Sequence, residues 1–139
     1  MRKLTKKYLD QLTFDIIGAA IEVHKILGPG LMESDYEEAF LIELGIRGFK
    51  FTTQKTVERN YKGHQLKRKL RFDVLVEDLV VVELKAIQKV LPIHEAITIS
   101  YMKHLKVPKG IIINFHVNNI FYEGQKTFVN EYYAQLPDE

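Results

Sequence analysis

The chain has 139 residues, the length of one domain, and 46% of them are apolar, enough to build a core. Charged residues make up 27%, an ordinary share that excludes a globally disordered chain. The absence of cysteine excludes disulfides, thiol nucleophiles, iron–sulfur clusters and cysteine zinc sites. No apolar run approaches the roughly 18 residues of a membrane span. The basic start from Met1 to Lys7 is not followed by the apolar stretch and cleavage site of a secretion signal, so a cytoplasmic protein is expected. The net charge of +2 conceals a segregation. Between Lys50 and Arg71 eight cations face one acid, Glu58, whereas six acids between Glu22 and Glu43 face Lys25 alone. A basic block suits a polyanion; the plainer alternative is a solvated strand face.

In chain order, Leu12, Ile16, Ala20, Val23 and Leu27 recur at spacings of three and four and predict a helix, with Phe14, Ile17 and Ile21 widening its apolar face. Gly28-Pro29-Gly30 stops it. A second helix follows. Ser34 to Glu37 has capping-box spacing, Ala39, Phe40 and Leu44 form the apolar face, and Gly45 and Gly48 end it. Phe51 to Tyr61 reads as a strand, Lys62-Gly63 as a turn. In the next strand Leu70, Phe72, Val74 and Val76 fall on one face, and Arg71, Asp73, Leu75 and Glu77 on the other. Glu77-Asp78 connects to Leu79–Leu84, apolar enough to be central in a sheet. These three segments predict an antiparallel meander. Pro92 opens a helix with Ile97, Tyr101 and Leu105 on one face, and Gly110 to Phe115 is another buried strand. The order is α-α-β-β-β-α-β with room for one further strand, in a single domain over residues 1–139.

Chemistry concentrates at one place. Glu83 and Lys85, two apart on a strand, project to the same side, and the returning chain brings Asp73 within reach of Glu83. Two carboxylates, with a backbone carbonyl such as that of Leu84, form an oxygen-ligand site for Mg²⁺ that leaves positions for water and phosphate. Lys85 is suited to orient water or to stabilise developing negative charge. The plain alternative is a strand-end ion pair with an unrelated Asp73. No Gly-rich phosphate loop, Gly-x-Ser-x-Gly elbow, His-Glu-x-x-His pair or zinc finger is present.

Asp73 followed after nine residues by Glu83-Leu84-Lys85 resembles the PD-(D/E)xK phosphodiesterase signature. Gly30-Leu31-Met32-Glu33-Ser34-Asp35-Tyr36 resembles the Gly-x-x-Glu-x-x-Tyr motif of one family in that superfamily, as do His24–Leu31, Arg71-Phe72-Asp73, Pro92–Ala96 and Gly110–Phe115. The resemblance spans about residues 10–130. It implies an α/β fold with a restriction-endonuclease-like core, a mixed β-sheet flanked by helices. It also implies a metal-dependent nuclease acting on DNA or RNA with Mg²⁺ or Mn²⁺. Asp73 and Glu83 then correspond to the metal-binding acids, Lys85 to the catalytic lysine and Glu33 to an additional acid on an early helix.

Tyr36 is expected either to hold an active-site carboxylate or phosphate or to be a core aromatic. His94, on the face of Tyr101, is expected either to contact phosphate or a site carboxylate or to cap its helix. Lys55, Arg59, Lys62, Lys67, Arg68, Lys69 and Arg71 are the candidate nucleic-acid contacts, phosphate-directed and so weakly sequence-selective and salt-sensitive. One position departs from the pattern. Related sequences often carry Gln where Ile97 stands, four residues before Tyr101, and its loss favours the alternative of a non-catalytic nucleic-acid-binding or regulatory module. Cutting both strands of a duplex with so small a chain would call for a homodimer. A partner-docking tail from Tyr132-Tyr133 onward is a third, lesser reading.

Overall fold

The computed structural model describes residues 3–53, 56–68 and 70–139. Lys55 and Lys69 lie outside the described residues. Helix α1 (Lys6–Leu27) is capped by the Thr5 hydroxyl, which accepts from the Tyr8 amide, and ends at Gly28, whose φ of 72° suits glycine. Its buried face is narrower than the sequence predicts. Ile16, Ala20 and Val23 are buried, but Phe14 is 64% exposed and Ile21 also reaches solvent, because only one stripe of a helix can face a sheet.

Helix α2 (Glu33–Ile46) starts two residues earlier than the expected box requires. Met32 is the N-cap, and the Asp35 carboxylate accepts from its backbone N–H at 3.1 Å, so the pair is Met32 with Asp35 rather than Ser34 with Glu37. Phe40 and Leu44 are buried as expected.

The central sheet has five strands in the order β1-β6-β7-β8-β9. These are β1 (Phe51–Thr53), β6 (Val74–Val76), β7 (Val80–Lys85), β8 (Lys109–Asn114) and β9 (Gln125–Val129). Only β7 and β8 are parallel, and α3 (Pro92–Leu105) makes the crossover between them. The sheet is therefore mixed and flanked by helices, a restriction-endonuclease-like α/β architecture. Strands β2 (Thr56–Val57), β3 (Asn60–Tyr61), β4 (His64–Gln65) and β5 (Leu70–Arg71) pair as β2 with β5 and β3 with β4. With β1 and β6 they make one long interrupted hairpin instead of two continuous strands. Lys62 and Gly63, both at positive φ, form its tip, the geometry of a two-residue primed turn.

Alternation along β6, β7 and β8 splits the core between the two faces of the sheet. Val74, Val76, Val82, Leu84, Ile111 and Ile113 pack under α1 and α2. Leu75 and Val81 pack under α3 with Tyr101, Met102 and Phe72. The position of Phe72 overturns the expected strand face, which grouped it with Val74 and Val76. Residues 72 and 73 fall outside the strands on either side of them, and the phase changes across that interruption, so Phe72 turns to the α3 side. A short helical turn (Ile120–Gly124) leads into β9, and α4 (Glu131–Ala134) follows it. No helix among the described residues is long and apolar enough to cross a membrane.

Candidate active site

The break at Phe72–Asp73 builds the site. In a regular ladder Asp73 would lie opposite Glu83 and exchange backbone bonds with β7, since Val74 pairs with Val82. Instead, side chains take over the pairing. The Asp73 backbone N–H donates to Glu83 Oε1 at 3.1 Å, and Asp73 Oδ2 accepts from the Leu84 N–H at 2.9 Å. The two carboxyl groups stand close enough that each charge acts directly on the other. Glu83, on the α3 side of β7, is only 4% exposed, and Lys85 two residues on is half-buried.

Electrostatics follow from that crowding. Burial first, then the neighbouring Asp73 charge, pushes the Glu83 carboxyl up to about 8; the hydrogen bond from the Asp73 amide and the Lys85 ammonium offset this in part. Burial also raises Glu33, with Lys85 pulling it down and Asp73 and Glu37 pushing it up. Glu33 thus stands in electrostatic reach of both Asp73 and Lys85, at the first turn of α2. Among the described residues no three His, Asp or Glu side chains form a ready-made metal cluster. The arrangement is a close carboxyl pair with a third acid nearby, a set of hard oxygen donors that fits a divalent cation such as Mg²⁺ or Mn²⁺. Burial, and then the Asp73 charge beside it, disfavours a bare Glu83 carboxylate, and a cation joining the pair relieves that cost.

The supporting residues divide. The Tyr36 hydroxyl donates to the Gly28 carbonyl at 2.6 Å and accepts from the Leu31 N–H at 3.0 Å, and its ring stacks on Phe115 with centroids 4.4 Å apart. It is a buried buckle for the loop that leads into Glu33, not a ligand for carboxylate or phosphate. His94 is a cap: its Nδ1 accepts from the Leu91 N–H at 2.9 Å. Tyr101 donates to the Arg71 carbonyl at 2.6 Å, fixing the chain two residues before Asp73. Its phenol is raised by burial and by the Glu83 and Asp73 charges. Ile97 is 40% exposed on α3 and places a methyl-bearing surface where an amide would hydrogen-bond. Arg59, Lys62, Lys67, Arg68 and Arg71 all lie on the long hairpin, away from the carboxyl pair except for Arg71.

The sequence reading missed Asn114. Its buried amide accepts from the Ile87 N–H and the His116 N–H and donates to the Ile87 carbonyl at 2.9 Å, while the Phe115 N–H bonds the Lys85 carbonyl. It clamps the chain that leaves Lys85. The signal was available: an amide closing an otherwise aliphatic buried strand must find partners. His116 was also assigned nothing; its Nε2 lies 2.9 Å from the Leu31 carbonyl, beside Glu33.

Residues 10–127 match a family model described as the PD-(D/E)XK nuclease superfamily. No curated protein matches the chain. A solved structure described as "Crystal structure of SSO0001" is similar at 20% identity, over 86% of this chain and 78% of that one, with a TM-score of 0.44.

Proposed function

The chain belongs to the PD-(D/E)XK nuclease superfamily, and from that premise we propose that it is a metal-dependent nuclease hydrolysing phosphodiester bonds in DNA or RNA. The observation that carries this reading is the Asp73–Glu83 carboxyl pair, with Glu83 buried and Asp73 half-buried, cross-bonded through their backbone N–H groups and flanked by Lys85. Asp73 and Glu83 would hold a Mg²⁺ or Mn²⁺ ion, with Glu33 completing the oxygen set directly or through water. When bound, the ion supplies Lewis-acid polarisation of the phosphoryl oxygen and neutralises developing charge.

The chain's own residues do the rest. Lys85 presents an ammonium beside the pair, where it holds a water for attack on phosphorus and stabilises negative charge as the pentacovalent state forms. The Leu84 N–H fixes the Asp73 carboxylate, and the Asp73 N–H fixes Glu83, so neither acid has to be ordered when substrate arrives. Tyr36 and His116 hold the loop ahead of Glu33, Asn114 the loop behind Lys85, and Tyr101 the strand ahead of Asp73. The basic hairpin would supply backbone-phosphate contacts, which fix position without reading sequence.

A cleavage assay on single- and double-stranded DNA and on RNA, with Mg²⁺ or Mn²⁺ against EDTA, tests the proposal. Metal-dependent cutting that Glu83→Ala and Lys85→Ala each reduce by at least about 10²-fold is the expected result. The exposed Ile97 favours a second reading, a nucleic-acid-binding module without catalysis. Tight binding of the same substrates with no cutting under either metal would establish that reading instead.

A further inference from the structure

The segment from Asn60 to Arg68 is an unsupported two-stranded ribbon. Every residue from Asn60 to Arg68 is exposed, so neither face of the ribbon packs on the domain. An isolated two-stranded hairpin is marginally stable in water, and this one concentrates like charges. Among the described residues from Asn60 to Arg68, the cations are Lys62, Lys67 and Arg68, and no acid is present. Lys62 lies over the exposed Tyr61 ring at 5.5 Å, and Lys67 and Arg68 fall in the bend where the register shifts between the Val57↔Leu70 and Asn60↔Gln65 pairs. Within that exposed stretch no acidic side chain of the described residues offsets these cations.

We propose that this ribbon is an arm that enters the major groove of B-form DNA at a distance from the carboxyl pair. The inference rests on the nuclease reading for its orientation: the arm runs back through β1 and β6 to Asp73. Three physical facts select the partner. Paired strands lie about 4.8 Å apart, and a major groove about 12 Å wide admits a two-stranded ribbon. The major groove of A-form RNA is too deep and narrow for side chains to enter. A single strand offers no groove to fill. The arm also has a reach. From Thr53, paired beside the site, to Tyr61 is eight residues, at most about 26 Å of extended chain. At 3.4 Å per step along a strand, that is about seven or eight base pairs. The arm therefore grips duplex that a shorter substrate does not have.

The test is binding by fluorescence anisotropy across a fourfold rise in salt, with 24-base-pair DNA, 24-base-pair RNA, 24-nucleotide single-stranded DNA and 6-base-pair DNA. The wild type is compared with K62S/K67S/R68S and with the charge-preserving K62R/K67R/R68K. On the long DNA duplex each lost phosphate contact removes about 0.9 from the salt slope. The serine variant should then lose affinity across that salt range about 40-fold less steeply than the wild type, and the charge-preserving variant should match the wild type. The serine changes should weaken the 6-base-pair duplex less than the long one, because the tip at Lys62 lies beyond its end, and the long RNA duplex should bind less tightly than the long DNA. An unchanged slope, equal effects on short and long DNA, or equal binding of RNA duplex overturns the arm. Cleavage is read separately on the same DNA. Cutting with an unchanged slope removes the arm and leaves the nuclease reading standing, whereas the slope difference with no cutting under Mg²⁺ or Mn²⁺ does the reverse.

Discussion

At Glu83, burial and the adjacent Asp73 raise the folded-state carboxyl to about 8 from an ordinary 4.5. The native chain therefore retains a proton that the unfolded chain releases between those values. Its contribution to stability is complete below about pH 4.5 and is lost as pH rises towards about 8. Metal-free protein in EDTA should lose thermal stability from pH 5 to pH 8.5. Glu83→Gln, which keeps an acceptor for the Asp73 N–H, should lose less and overtake the wild type near pH 8.5. Parallel melting curves for the two would contradict the assignment. Tyr36→Phe is a second test at this scale. It keeps the stack on Phe115 but leaves the Gly28 carbonyl and the Leu31 N–H without their partner. Denaturant titration should show a cost of about 1–2 kcal/mol, with a fall in cleavage rate because the loop before Glu33 loosens. The sequence placed Glu33, Asp73, Glu83 and Lys85 as candidates, but could not tell that the Tyr36 hydroxyl and the His94 Nδ1 are spent on backbone. That depends on loop geometry, and spacing does not encode it.

The elements show where alternation is informative and where it fails. Along β7 the period of two separates Val80, Val82 and Leu84 from Val81, Glu83 and Lys85 without exception, because that strand is paired on both sides. Along the strand before it, the period predicts the wrong face for Phe72, since the ladder is interrupted there and Asp73 bonds through its side chain. A break of that kind leaves no composition signal, so the sequence shows continuous strands where the structure has an interrupted hairpin. The helix crossover and the buried strand Gly110–Phe115 were legible because Pro92 and the aliphatic run are local signals. The turn after that strand provides a prediction. A Cβ on Gly124 would lie 2.6 Å from the Asn114 carbonyl oxygen and 2.8 Å from Val117 Cγ2, and backbone cannot yield as a side-chain end can. Gly124→Ala should cost about 1–3 kcal/mol in denaturant titration, and should lower cleavage by disturbing the Asn114 clamp behind Lys85.

For the whole molecule, the segregated charges acquire a spatial meaning. Of the basic block, the described Arg59, Lys62, Lys67, Arg68 and Arg71 lie on one hairpin, and part of the acidic stretch is the start of α2 beside the carboxyl pair. The candidate site lies where three structural units meet: the α1–α2 loop with Glu33, the broken strand with Asp73 and the end of β7 with Glu83 and Lys85. Glu33 stands forty residues before Asp73 along the chain, so its place beside the pair was legible only through the resemblance, whereas the adjacency of Asp73 and Glu83 was legible from strand length alone. The claim beneath the account is that Asp73 and Glu83 together bind one divalent ion, and calorimetric titration of Mn²⁺ into the metal-free protein at pH 8 tests it without a substrate. The account predicts one site in the wild type, with affinity reduced at least about tenfold in Asp73→Asn and in Glu83→Gln. Identical binding isotherms for all three proteins, or no binding to the wild type at millimolar Mn²⁺, would contradict it.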